Sequence, residues 1–171
     1  FGMIILSATT VFASGIGFVK AYDKIADETR EEINVGTEGD IKDQKAKYRM
    51  YDKTRIKKCM IKNERLKEND GKPFTWKIKP KERIETKEGH LKKGTCVQVA
   101  ACMGFEEEHP ETHIAIGIID EDGEETYIEN GVNLVSHLKV KKDGRYRVFL
   151  ENLGAKKAIA GGHYMVITEE E

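Results

Sequence analysis

Residues 135–167 read VSHLKVKKDGRYRVFLENLGAKKAIAGGHYMVI, and apolar and polar side chains alternate along them except at Asp143-Gly144, Leu153-Gly154 and Gly161-Gly162. A period of two sends successive side chains to opposite faces of a strand, and Gly-containing breaks are turn signals. The stretch therefore predicts short strands linked by turns at those dipeptides, the last near Tyr164 to Ile167. In RYRVFLEN, Tyr146, Val148 and Leu150 point inward while Arg145 and Arg147 point outward, giving one dry face and one wet face. Gly144 followed by Tyr146 fits a tyrosine corner, in which the ring is buried and the hydroxyl returns to a backbone group.

The same period runs through the preceding sixty residues. Phe74, Trp76 and Ile78 share a face in FTWKIK, which makes Trp76, the only tryptophan, a core residue. Val97, Val99 and Ala101 share one in TCVQVAACM, and Ile114, Ile116 and Ile118 share one opposite Ala115 and Gly117. Leu134, Leu138 and Val140 point inward in NLVSHLKV, with His137 and Lys139 outward. Glu121-Asp122-Gly123 reads as a hairpin turn into EETYIE. About eight short strands in some hundred residues, separated by such turns, predict an all-β fold, an antiparallel β-sandwich of jelly-roll or Greek-key type. A parallel α/β sheet would carry strands apolar on both faces, against this alternation.

Upstream, the composition changes in blocks. Residues 1–21, FGMIILSATTVFASGIGFVKA, hold one charge, Lys20, and predict an apolar helix that is a signal peptide or a membrane anchor. Val19 and Ala21 are small residues at the two positions that a signal peptidase reads, with cleavage before Tyr22. Residues 22–43 carry eight acids and three bases, residues 44–72 eleven bases and four acids, and residues 103–130 ten acids with no Lys or Arg. The net charge of −1 hides these blocks, so it gives no argument for nucleic acid. Residues 22–72 are expected to be a charged linker or accessory segment, with 44–68 undecided between helix and strand. The sandwich is assigned to residues 73–171, after the strong break KENDGKP at 67–73.

The run from LKKGTCVQV through IAIGIIDEDGEETYIE to VSHLKVKKDGRYRVFLEN resembles the bacterial pre-peptidase C-terminal-like sandwich. The matching positions are Leu91, Gly94, Val97, Val99, Gly117, Asp122, Gly123, Gly144, Tyr146, Val148 and Asn152. The resemblance is to the kind found in small exported proteins of Gram-positive bacteria and at the C-terminal end of BlaR-type membrane metallopeptidases. It implies a non-catalytic extracytoplasmic domain. No His-Glu-x-x-His occurs in these 171 residues, which departs from the BlaR-type enzymes.

Few residues suggest chemistry. In EEEHPETHI, an extended chain would send His109, Glu111 and His113 to one side, about 6.6 Å apart in succession, where they could converge on zinc or copper. Pro110 and the surrounding acids equally describe an exposed connection, and no metal or other cofactor is expected. The acids of DEDGEE, residues 120–125, lack the ligand order of a calcium loop and suit a solvated hairpin tip. His90, His137 and His163 are scattered, without a Ser or Cys partner that would suggest a triad, so no catalytic residues are assigned. Cys96 and Cys102, on one strand about 20 Å apart, cannot pair with each other, and Cys59 could pair with either or all three stay free. The basic stretch Lys45 to Lys67, with Tyr48 and Tyr51, offers a surface for an anionic envelope polymer or a membrane. Alternatively it balances the acidic blocks. The expectation is an exported, non-catalytic binding or accessory module at the bacterial cell surface. The alternative is the sensor-like C-terminal portion of a BlaR-type peptidase whose catalytic part lies elsewhere.

Overall fold

A computed structural model of the chain describes residues 44–66, 71–104, 113–130 and 133–168. These hold β1 (Lys47–Met50), β2 (Lys58–Arg65), β3 (Phe74–Ile78), β4 (Glu82–Lys87), β5 (Gly89–Leu91), β6 (Cys96–Gly104), β7 (Ile114–Asp120), β8 (Glu124–Asn130), β9 (Asn133–Lys139), β10 (Gly144–Asn152) and β11 (Ala158–Ile167). The larger sheet runs β1-β8-β7-β10-β4-β2, with β5 also paired to β10, and the smaller runs β3-β11-β6-β9. Their pairings are antiparallel except that of β2 with β4. Residues 1–21, and with them the apolar opening helix, lie outside the described residues. Among the described residues no helix is long and apolar enough to cross a membrane.

The two sheets close on the faces that the alternation marks. Ile114, Ile116, Val148, Leu150 and Ile84 from the larger sheet meet Phe74, Trp76, Val97, Val99, Leu134 and Leu138 from the smaller in one core. Each such side chain contributes about 1.5–3 kcal/mol by leaving water, so this seam is what makes the fold a β-sandwich. Trp76 stacks on Phe74 with ring centroids 4.1 Å apart, inside that core. The Tyr146 hydroxyl donates to the Lys142 carbonyl at 2.9 Å, so the tyrosine corner is present four residues upstream of the ring. Its net worth is about 1 kcal/mol.

Two features depart from the sequence reading. Gly161-Gly162 is no break, because β11 passes straight through it, paired with β3 and β6. A Cβ at Gly162 would stand 2.1 Å from the Ala100 carbonyl oxygen. The glycine is there for close strand approach, not for a turn. The outer face of the larger sheet is also not uniformly wet. Arg145 and Arg147 do reach solvent, but Phe149 and Glu151, next along the same face of β10, are buried.

The cover comes from upstream of residue 73. Residues 44–66 supply β1 and β2, which stand at opposite edges of the larger sheet, so the connection 51–57 crosses its outer face. Tyr51 packs there on Ala115, Ile119, Tyr127 and Phe149. The strap is tied at its ends by Tyr51 N–H to the Gly123 carbonyl at 2.8 Å and Lys57 N–H to the Lys81 carbonyl at 2.7 Å.

Candidate functional site

Under the strap, β4, β8 and β10 project charged side chains that a bare strand would leave in water. Arg83, Glu85, Glu125 and Glu151 are all buried. Charges out of water persist only when paired, and here they alternate in sign. Arg49 and Arg55 both contact Glu125 and Glu151, at 2.9 Å for Arg49 Nη2 to Glu151 Oε2 and 2.7 Å for Arg55 Nε to Glu151 Oε1. Arg83 Nη1 meets the same two carboxylates. Its Nε lies 3.0 Å from Glu85 Oε1 but off the N–H axis. Glu85 Oε2 in turn meets Arg147 Nη1 at 2.9 Å. Arg83 Nη2 has no hydrogen-bond partner among the described residues, and its guanidinium lies 3.8 Å from the Phe149 ring centroid and 5.3 Å from that of Tyr51. Cation–π attraction there replaces some of the lost hydration.

Beside this chain of charges lies a groove of about 470 Å³, lined by Met50, Tyr51, Cys59, Ile61, Glu85, Ile119, Glu121, Asp122, Gly123 and Arg147. Met50 and Ile61, 58% and 65% exposed, are two of the four exposed large apolar residues among those described. They come from the two opposite edge strands and wall one cleft. At the rim, Glu121 is held by Arg145 at 3.1 Å, and Lys142 holds Asp122 and Asp120. Those two carboxylates raise the Lys142 ammonium above its ordinary range. Burial, and then the neighbouring Glu85 carboxylate, push the Cys59 thiol up to about 11, so at neutral pH it is a thiol and not a nucleophilic thiolate.

The residues singled out in the sequence are dispersed. His109 and Glu111 lie outside the described residues. His113 is half exposed, with Nε2 3.7 Å from Glu129 Oε2. Among the described residues no group of three or more His, Cys, Asp or Glu side chains could hold a metal ion. Within DEDGEE, Asp120 Oδ1 accepts the N–H groups of Asp122 at 3.0 Å and Glu124 at 2.8 Å, and Gly123 takes φ 86°. Those are the marks of a hairpin turn. His90 belongs to the larger sheet, while His137 and His163 belong to the smaller. Cys59, Cys96 and Cys102 form no disulfide with one another, and burial pushes the Cys102 thiol up to about 12. In the basic stretch, Lys47, Arg49 and Arg55 pair with Glu129, Glu125 and Glu151, so part of that charge is answered inside the molecule.

Tyr51, in the basic stretch, and Glu121 and Asp122, in DEDGEE, were weighed separately in the sequence, but nothing there joined the groove residues into one site. Arg147 read as an ordinary outward residue, and Met50 and Ile61 sat in a segment of undecided structure. Only the pairing of β1 and β2 at opposite edges brings them together.

No family model and no curated protein matches the chain. Among solved structures it is similar to the pre-peptidase C-terminal domain of a collagenase from Bacillus anthracis, at TM-score 0.44 and 7% identity over 60% of this chain and 94% of that one. It is also similar to CorA, a surface-associated copper-binding protein of Methylomicrobium album BG8, at TM-score 0.44 and 8% identity over 64% and 100%. A third is PliG, a periplasmic inhibitor of g-type lysozyme from Aeromonas hydrophila, at 0.37 and 10% over 64% and 99%. The domain that the sequence resembles is thus among the solved structures similar to this all-β chain.

Proposed function

We propose that this sandwich is a non-catalytic binding module, exported to the bacterial cell surface, and that the groove between strap and sheet is its binding site. The observation that carries the reading is the convergence of Met50 and Ile61, both well exposed, with Tyr51 and buried Ile119 on one cleft. Exposed apolar side chains scattered singly need no explanation, whereas several lining one concave surface mark a contact site. The charged groups around it are engaged with one another, which suits a rigid receptor.

A neutral apolar dye, Nile red, is expected to bind the folded protein at one site per chain. Met50→Asp with Ile61→Asp should weaken it at least tenfold, because two carboxylates would then line the apolar wall. Tyr48→Asp, equally exposed but not on the groove, serves as the control. Equal affinity in the double variant and the control would remove the groove as the site.

Export is supported by the apolar run of residues 1–21. Alkaline phosphatase, which needs disulfides formed outside the cytoplasm, should be active when fused after residue 43 and inactive when residues 1–21 are deleted. An inactive fusion would count against export, and activity without residues 1–21 would mean that this run is not the signal.

A further inference from the structure

Lysines from three separate stretches meet at the end of the sandwich where β3 passes to β4 and β10 to β11. Lys57 and Lys58 lead into β2, Lys77, Lys79 and Lys81 span the β3–β4 turn, and Lys156 and Lys157 precede β11. Hydrogen bonds hold the stretches together. Lys57 N–H donates to the Lys81 carbonyl at 2.7 Å, and Lys81 N–H to the Asn152 carbonyl at 3.0 Å. The buried Asn152 amide donates to the carbonyls of Ile78 at 3.1 Å and Lys156 at 2.7 Å. Lys77 stands opposite Ile159, two residues from Lys157. Lys81 takes φ 61°, where a glycine or asparagine would turn more easily, so the turn alone does not explain a lysine there. All seven lysines are exposed. Lys57, Lys58, Lys77, Lys79 and Lys157 make no ion pair among the described residues.

Acids are fewer here. Within the three stretches stands Glu82, opposite Lys58 and accepting the Lys79 N–H at 3.2 Å. Buried Glu151 is committed to Arg49, Arg55 and Arg83. Residues 105–112 carry four more glutamates, and their flanks adjoin this end: Gly104 opposite Ile159, and the His113 carbonyl accepting from Leu153 and Gly154. Seven lysines still outnumber Glu82 and those four.

We propose that this lysine corner is a second binding site, which takes a flexible phosphodiester polymer without bases. An ammonium is a compact point charge that suits phosphate, and many weak contacts spread over three stretches fit the repeats of a chain. None of the exposed large apolar residues, Tyr48, Met50, Ile61 and Ile167, belongs to these stretches. Nothing at the corner therefore enters a bilayer or stacks on a base, which favours the plain polymer over a membrane or a nucleic acid. The groove lining includes none of the seven lysines, so the corner does not rest on the groove.

The test is the affinity of the protein for poly(glycerol phosphate), which should fall steeply as salt is raised because counterions are released on binding. A variant with Lys57, Lys58, Lys156 and Lys157 each changed to Gln should bind about tenfold more weakly or worse. A second variant, with Lys45, Lys92, Lys93 and Lys139 each changed to Gln, has the same net charge and should stay within about twofold of the unaltered protein. Changing the four corner lysines to Arg instead should preserve binding, which separates lost charge from lost folding. Equal losses in the two Gln variants, or no binding of the polymer, overturn the site. Tighter binding to phosphatidylglycerol vesicles or to oligothymidylate, at equal phosphate concentration, overturns the assignment of the polymer.

Discussion

Arg83→Ala is expected to lower the free energy of unfolding by about 3–5 kcal/mol, the cost of breaking a buried ion pair from one side. Arg83 is fully buried and meets Glu85, Glu125 and Glu151, while its guanidinium rests on Phe149. Its removal strips a partner from three carboxylates that water does not reach and opens a cavity under the strap. Arg49, Arg55 and Arg147 remain as partners, which keeps the charge balanced but not the lost hydrogen bonds or the packing. Arg83→Met restores most of the volume and should recover part of the deficit. Arg145→Ala removes two ion pairs, to Glu121 and Glu88, whose members are 41–58% exposed, and exposed pairs of that kind are worth about 0–1 kcal/mol each. Urea unfolding of the three variants measures the differences. Equal costs for Arg83→Ala and Arg145→Ala would mean that the strap does not bury the charges.

Gly117→Ala is expected to cost at least about 3 kcal/mol, more than a core overpacking usually does. Gly117 faces outward from β7, between Tyr127 of β8 and Phe149 of β10. A Cβ there would stand 2.3 Å from the Thr126 carbonyl oxygen and 2.7 Å from the Tyr127 Cα, both backbone atoms that cannot turn aside. Relief requires β7 and β8 to separate in the middle of the larger sheet. Gly94→Ala is the instructive contrast, because Gly94 has φ 89° with nothing within 4 Å of its added Cβ. Only backbone strain opposes that substitution, about 1–2 kcal/mol. Thermal or urea unfolding should therefore rank Gly117→Ala well below Gly94→Ala in stability, and the reverse order would contradict the strand packing described.

Much of the sandwich was legible because one face of each strand is apolar. Ile114, Ile116 and Ile118, and Tyr146, Val148 and Leu150, occupy the seam as the period of two requires. The hairpin at Gly123 and the corner at Tyr146 were legible because particular residues make them. β4 was not. Arg83 and Glu85 drew no reading from the sequence, and only the strap, a contact between segments some thirty residues apart, buries them. β1 and β2 were ambiguous for a related reason. As edge strands they expose much of both faces, as in Lys58–Arg65, so little hydrophobic contrast marks their period. Gly161-Gly162 looked like punctuation because a glycine needed for close approach and one needed for a turn are the same letter. The groove was illegible for all these reasons at once, since its walls come from β1, β2, β4, β7 and β10.

A sealed apolar seam and an open groove, walled in part by Met50 and Ile61, lie on opposite sides of the larger sheet. Methyl spectra of protein labelled at Met and Ile, titrated with 1-decanol, read both at once. Met50, Ile61 and Ile119 should shift together along one saturation curve, while Ile114, Ile116 and Ile118, sealed between the sheets, stay in place. Shifts confined to exposed Ile167, or spread over the seam methyls with Met50 and Ile61 unmoved, would contradict it.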